Sequence, residues 1–376
     1  MKSYVKDRNG QVMTYDYLIV GSGLFGSVCA HELTKIGKTC LLIDKRPQYG
    51  GNVYTSKEEG IPVSKYGPHI FHTNDKKIWD YVNKFTEFNN YVNRVKAVYK
   101  DKLYSLPINL MTFYELWGIK TPVEAVKKLK EVVIPIENPK NFEEVALSTV
   151  GEEIYNTFFR GYTIKQWQKD PKDLPAFILK RLPYRLNFDD NYFIHKYQGM
   201  PANGYTEMMS NIIKDIPIEL NVDFFSEKLS YWKNIGKKII YTGKIDTFFN
   251  YEFGELEYLG VNFEETTYDV EDYQGNAVIN YTDIDVPYTR STEHKHFYDI
   301  TSKKTIVTRE YPIKYEKSQT PYYPIYDEKN KKIYLKYKEI ANKDSDIHFG
   351  GRLGDFKYYD MHQVIGSALA KVRNIV

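Results

Sequence analysis

The sequence predicts an α/β protein in which a Rossmann-like dinucleotide-binding domain carries a helical insertion and an antiparallel β-sheet domain. Three observations predict it. The apolar run Tyr17-Leu-Ile-Val20 passes directly into Gly21-Ser-Gly23-Leu-Phe-Gly26 and then into an apolar-periodic helix. A second apolar strand, Thr39 to Asp44, ends in an acid about twenty residues beyond the glycine motif. Further on, the apolar period is helical from about residue 105 to 186, whereas short segments alternate with period two from about 251 to 337.

Residues 1–14 carry no pattern and read as an N-terminal extension. In the glycine turn that follows, Gly21 allows the tight bend, Gly23 lets the backbone approach a pyrophosphate, and Gly26 lets the helix pack close to the strand. Phosphate charge then meets the positive end of a helix dipole. Asp44 offers acceptors to both ribose hydroxyls, which favours an adenosine without a 2′-phosphate. After Asp44, Lys45-Arg-Pro-Gln-Tyr49 leads into Gly50-Gly51-Asn52. An acid, a five-residue gap and a glycine pair resemble the extended FAD fingerprint of the glutathione-reductase-like flavoproteins, whose second glycine turn brings backbone N–H groups to the cofactor. Helices are expected over 111–117, 122–132, 142–147, 152–160 and 175–181, and strands over 258–263, 277–281, 304–309 and 332–337. Near the C-terminus, Ile347-His-Phe349 reads as a strand running into a Gly350-Gly351-Arg352 turn, with a helix over 361–372. That arrangement suggests a second approach to the same cofactor, with Arg352 near its pyrophosphate.

The 376 residues give room for roughly two or three domains. Lys+Arg of 52 against Asp+Glu of 49 leaves +3, so no global field draws the chain to nucleic acid and any basic site is local. Cys29 and Cys40 fall in the first helix and second strand and read as reduced core residues. No apolar run long enough to span a bilayer is visible and the first residues are polar, so a cytoplasmic protein without membrane insertion is expected. Of the 35 tyrosines, those beside arginines in motif-like segments are the ones to weigh for function.

Ten separated motifs then carry a resemblance. Gly21-Ser-Gly-Leu-Phe-Gly26, Lys65-Tyr-Gly-Pro-His69-Ile-Phe-His72-Thr, Gly161-Tyr-Thr-Ile-Lys-Gln-Trp167, Leu174-Pro-Ala-Phe-Ile-Leu-Lys-Arg181, Asn191-Tyr-Phe193, Gly275-Asn-Ala-Val-Ile-Asn280, Val286-Pro-Tyr-Thr-Arg290, Glu310-Tyr-Pro312, Pro321-Tyr-Tyr-Pro324 and Gly350-Gly-Arg-Leu-Gly-Asp-Phe-Lys-Tyr358-Tyr-Asp360-Met-His-Gln363 resemble the bacterial UDP-galactopyranose mutases, in order, from about residue 15 to the end. The resemblance implies an FAD-binding domain over 15–84, 205–250 and 343–376. It implies a helical bundle over 108–185, and a twisted antiparallel sheet over 85–107, 186–204 and 251–342. It also implies an isomerase that interconverts UDP-galactopyranose and UDP-galactofuranose through a covalent adduct between flavin N5 and the sugar. The active cofactor would be reduced FAD, the reductant NAD(P)H or another donor, the substrate a nucleotide sugar, the assembly a homodimer, and the product a furanose for cell-surface polysaccharide.

By the same resemblance Arg181 and Arg290 grip the diphosphate, where planar guanidinium forks suit phosphate oxygens. Tyr192, Tyr323 and Tyr358 line the diphosphate and sugar, while their neighbours Tyr322 and Tyr359 read as packing. Tyr162 and Trp167 lie on the family's mobile loop over the uridine, Asn280 reads the uracil edge, and Asn93 and His72 lie near the sugar. His69 is assigned to catalysis beside the flavin. The cofactor set is Gly21, Gly23, Leu24, Phe25, Gly26, Asp44, Lys45, Gly51, Asn52, His69, Val222, Arg352, Asp360 and Met361. His69 and His72 lack a third ligand at suitable spacing, so no metal is expected. Asp360 also fits a helix N-cap. Three departures from the family pattern bear on the sugar: Asn93-Arg94-Val95-Lys96, Asn203-Gly204-Tyr205 and Gln168 after Trp167. Mutases of dTDP-fucopyranose or UDP-N-acetylgalactosamine share nearly every motif, although His72 favours plain galactose over the N-acetyl type. A flavin amine oxidase shares the FAD fingerprint and the terminal Gly-Gly-Arg, but no second nucleotide fingerprint is present.

Overall fold

A five-stranded parallel sheet runs in the order Ile347–Phe349, Gly236–Tyr241, Tyr15–Val20, Cys40–Asp44, Ile218–Leu220. The computed structural model that shows it describes residues 14–181, 184–227, 232–298, 300–317 and 319–376, so the extension expected over 1–14 lies outside the described residues except for its last position. The central strand from Tyr17 to Val20 and its neighbour from Cys40 to Ile43 are continuous apolar runs because both faces of the sheet are covered. Helices Leu24–Lys35, Tyr205–Ile212 and Met361–Ile375 bury Val28, Leu33, Met208, Ile212 and Ile365 in the core of one face. On the other face Leu18, Ile43 and Ile239 meet Phe224, Trp232, Leu256 and Tyr337. Cys29 and Cys40 are buried and free.

The strand expected over 332–337 is instead the middle of a helix, Glu328–Ala341. Asp327 caps it, its carboxylate accepting from the N–H of Asn330 at 2.8 Å. Ile333, Tyr334, Tyr337, Ile340 and Ala341 recur at helical spacing and pack on the second face of the parallel sheet. The short alternation around Leu335 imitates a strand, but over fourteen residues the helical period dominates.

The insertion begins as expected with Leu110–Trp117 and Pro122–Val132. Asn109 accepts from the N–H of Met111 at 2.7 Å, and Thr121 and Glu124 cap the second helix reciprocally. The next two expected helices join. Phe142–Ile154 runs on into a π-helical turn, Tyr155–Arg160, and then Gly161–Trp167, with a kink at Gly151, φ +81°. A Cβ at Gly151 would lie 2.5 Å from the carbonyl oxygen of Val132, so the kink marks a close helix crossing. Expected helix 175–181 is a 3-10 turn, Ala176–Arg181.

The second sheet has seven strands in the order Tyr323–Pro324, Tyr258–Tyr268, Thr305–Lys314, Arg290–Glu293, Val278–Tyr281, Val95–Tyr99, Lys102–Leu106. All neighbours are antiparallel except Val278–Tyr281 with Val95–Tyr99. A separate pair, Phe71–Thr73 with Tyr197–Gly199, joins segments from either side of the helical insertion. Among the described residues no helix is long and apolar enough to cross a membrane.

Candidate functional site

At the C-terminal end of the central strand Gly21 turns the chain with φ +104°, and a Cβ there would lie 2.0 Å from Thr242 Oγ1. The two glycine turns touch: a Cβ on Gly51 would sit 2.8 Å from Gly23 Cα. Between them and the Gly351 turn opens a cleft of about 390 Å³. Helix Leu24–Lys35 starts at this cleft without a side-chain cap, leaving its first N–H groups to a ligand. Asp44 is held by its own chain, accepting from Ser22 N–H (2.8 Å), Ser22 Oγ (2.7 Å) and Arg46 N–H (3.0 Å). Of the expected cofactor set, Gly21, Gly23, Leu24, Phe25, Gly26, Asp44, Lys45, Gly51, Asn52, His69, Val222, Arg352 and Met361 line the cleft.

A second cavity, about 200 Å³, adjoins it, sharing His69, Arg352 and Met361. Asn93, His72, Tyr192, Asn280, Arg290, Tyr323, Tyr358 and Asp360 line it. The sheet register places three of its polar residues on one rung, since Asn280 faces Arg290 and Arg290 faces Glu310 across adjacent strands. Arg290 Nη1 lies 3.5 Å from Glu310 Oε1, and Nη2 lies 3.5 Å from the Tyr162 hydroxyl. Tyr323 and Tyr358 stack at 5.2 Å beneath the Arg352 guanidinium, which donates to the Tyr359 carbonyl at 2.8 Å. Asn280 Oδ1 and Arg290 Nε are buried with no hydrogen-bond partner among the described residues. Such open valences suit a polar ligand.

Electrostatics sharpen these roles. Burial pushes the Glu310 carboxyl up while Arg290 opposes the shift, and the Glu310 charge in turn holds Arg290 protonated against its own burial. Desolvation around their hydroxyls also raises Tyr192, Tyr323 and Tyr358, although Tyr192 and Tyr358 keep 36% and 48% of their surface exposed, and all three stay neutral donors. His69 Nδ1 is 2.7 Å from the Gly67 carbonyl, which can only accept; the proton therefore sits on Nδ1 and Nε2 keeps its lone pair. Burial first, then the Arg352 charge, lower its pKa to about 4.

His72 stacks on Phe193 at 3.7 Å, bonds His195 through the two Nδ1 atoms at 2.5 Å and meets His362 edge-on at 5.5 Å. Burial lowers it to about 4 as well, against the pull of Asp360. His195 carried no signal in the sequence and His362 lay in the last motif without a role, because a histidine's spatial neighbours are not written beside it in the chain.

Other expected residues fall differently. Tyr162 reaches Arg290, but from a helix rather than a loop, and Trp167 packs on the helical core and lines neither cavity. Arg181 ends its 3-10 turn, and its side chain lies outside the described residues. Arg94 and Lys96 both turn to Asp190, at 3.0 and 3.9 Å, away from the second cavity. Tyr322 lines that cavity and donates to the Tyr66 carbonyl. Lys165 and Glu310 lie within the family-like motifs, but the burial of a lone charge cannot be read from its neighbours in sequence.

A family model described as UDP-galactopyranose mutase matches residues 157–358, and one described as an NAD(P)-binding Rossmann-like domain matches residues 19–85. A Klebsiella pneumoniae protein named "Probable UDP-galactopyranose mutase" is 44% identical over 360 residues, covering 94% of this chain and 92% of the relative. The dTDP-fucopyranose mutase of Escherichia coli is 40% identical over 361 residues, covering 94% and 96%. Among solved structures, a reduced UDP-galactopyranose mutase superposes with TM-score 0.75 at 15% identity over 96% of each chain, a likeness of fold. A putrescine oxidase shares the fold less closely, with TM-score 0.57 at 10% identity over 96% of this chain and 99% of that one.

Proposed function

This chain belongs to the UDP-galactopyranose mutase family, and we propose that it interconverts UDP-galactopyranose and UDP-galactofuranose across the junction of the two cavities. The enzyme is an isomerase. The observation that carries the substrate reading is the Asn280–Arg290 rung, a guanidinium beside an unpartnered amide, set among neutral phenols and opening onto the dinucleotide cleft through His69 and Arg352.

The cleft fits FAD: its glycine turns leave no room for side chains, its helix start is uncapped, and Asp44 is held in place by backbone N–H groups. Reduced FAD, when bound, supplies the nucleophile for the anomeric carbon, so no side chain need do so. The chain's residues then position and compensate charge. Arg290, with Arg181 as its proposed partner, holds the diphosphate, and Tyr192, Tyr323 and Tyr358 donate to it without adding charge. Asn280 reads the uracil edge and Tyr162 lies over the uridine; Trp167 backs that helix. Asn93 and His72 face the sugar, while His69 offers the Nε2 acceptor where the cavities meet. NAD(P)H or another donor as reductant, a homodimer, and delivery of the furanose to cell-surface glycans complete the proposal.

The 40% identity to a dTDP-fucopyranose mutase supports a second reading. Galactose is favoured because the two charged departures, Arg94 and Lys96, are drawn to Asp190 rather than into the cavity. The test is turnover of UDP-galactofuranose, UDP-N-acetylgalactofuranose and dTDP-fucofuranose side by side under anaerobic reduction. The expected result is highest kcat/KM for UDP-galactofuranose and none with fully oxidised enzyme. Preference for a competitor would overturn the sugar, and equal turnover by oxidised enzyme would overturn the chemistry.

A further inference from the structure

Lys165 is only 7% exposed, and the one carboxylate that acts on it, Asp283, does so by charge without a hydrogen bond. Its Nζ instead donates to four backbone carbonyls, those of Tyr281 (2.7 Å), Asp283 (2.7 Å), Val286 (2.9 Å) and Tyr288 (3.0 Å). An ammonium has three protons, so four acceptors at these distances surround it completely. Tyr281 ends the strand Val278–Tyr281 and the other three lie in the connection from it to Arg290–Glu293, the two strands that carry Asn280 and Arg290. Carbonyls of such a connection normally face water. Here they converge on one cation from another domain.

The same helix makes a second close approach one turn earlier. A Cβ on Gly161 would lie 2.4 Å from the Thr282 carbonyl oxygen, so helix and hairpin meet at backbone distance. Tyr162, between these two contacts, is the residue whose hydroxyl reaches Arg290. Burial of an ammonium is costly unless its donors are satisfied, so the four carbonyls and the cation hold each other in one arrangement.

We propose that Lys165 is a positioning residue whose ammonium sets the 281–288 connection against helix Gly161–Trp167, holding Asn280 and Arg290 in register with Tyr162 for a nucleoside diphosphate. The proposal rests on the reading that the second cavity takes that ligand. Burial pushes the Lys165 pKa down to about 8, with Asp283 opposing. Asp285, Tyr281 and Tyr288 are the other titratable groups on or beside the connection, and Tyr162 is the one on its own helix. Loss of a proton there turns one donor into a lone pair facing carbonyl oxygens, which loosens the clamp.

The experiment measures UDP affinity, together with kcat and KM for UDP-galactofuranose, on FAD-loaded wild type, Lys165→Met and Lys165→Arg from about pH 6.5 to 9. Lys165→Met is expected to weaken UDP binding on the order of tenfold while FAD stays bound. The same substitution in a Tyr162→Phe background is expected to cost clearly less, because both act on Arg290. Lys165→Arg keeps the cation but cannot titrate, so it is expected to retain affinity at neutral pH and to lack the fall near pH 8 that is expected of wild type. Should Lys165→Met fail to fold, the Lys165→Arg profile decides: an alkaline fall identical to wild type overturns the proposal. UDP affinity of Lys165→Met within about twofold of wild type overturns it directly. Absence of UDP binding by wild type would instead overturn the functional reading on which it stands.

Discussion

Replacing Arg290 with alanine removes the guanidinium at the centre of the second cavity and leaves Glu310, 3.5 Å away, without its counter-charge. The two consequences separate experimentally. For the ligand, two charge-assisted hydrogen bonds to diphosphate oxygens contribute about 1.5–3 kcal/mol each. Their loss, about 3–6 kcal/mol, lowers kcat/KM by about 10²- to 10⁴-fold. For the fold, burial already raises the Glu310 carboxyl and Arg290 is what opposes the rise. Without it Glu310 titrates higher still, and protonation limits the damage. A carboxyl whose folded pKa lies above its unfolded value favours the fold at low pH, and that advantage is lost as pH rises through the folded pKa. Arg290→Ala is therefore expected to lose stability on raising the pH more steeply than wild type. Arg290→Ala with Glu310→Gln should recover stability without activity, and Arg290→Lys, a point charge without the fork, should fall between. The assays are kcat/KM for UDP-galactofuranose with reduced enzyme, flavin absorbance, and urea unfolding at several pH values. Arg290 does not line the dinucleotide cleft, so flavin should stay bound. Wild-type kcat/KM in Arg290→Ala, or loss of its flavin, would refute the reasoning.

Asp44→Ala removes the acceptor of Ser22 N–H, Ser22 Oγ and Arg46 N–H and should weaken FAD binding about 10- to 100-fold, read as flavin content after dialysis; full loading would exclude the role. His69 and His72, lowered to about 4 mainly by burial, and His294, lowered to about 3 for the same cause, are neutral in the fold. Their stability contribution is complete above the ordinary value of 6.5 and is lost as pH falls towards those folded values, so urea stability should drop between pH 6.5 and 4. A flat profile, or one unchanged by His294→Gln, would contradict the assignment.

Much of the dinucleotide half was legible because its signals are local. A turn that admits only glycine at Gly21, an acid at the end of the next strand, and unbroken apolar runs for strands covered on both faces all follow from residues adjacent in sequence. Helices Leu110–Trp117 and Pro122–Val132 start within one residue of their expected positions, because the caps that begin them, Asn109 and Thr121, are local too. Local reasoning failed where two periods compete over a short span, as at 332–337, and where one helix crosses another, as at Gly151.

The sequence by itself determined a dinucleotide fold and its glycine turns, because backbone sterics and hydrophobic period act over a few residues, and it carried the motif order by which the family is recognised. Only the tertiary structure decided how the charged residues are used. Sheet register put Asn280, Arg290 and Glu310 on one rung although thirty positions separate the first from the last. Packing gathered His72, His195 and His362, sent Arg94 and Lys96 to Asp190, and buried Lys165 among four carbonyls. A charge's partner and its dielectric surroundings are set by segments that meet in space, and the one-dimensional order of residues does not contain that distance.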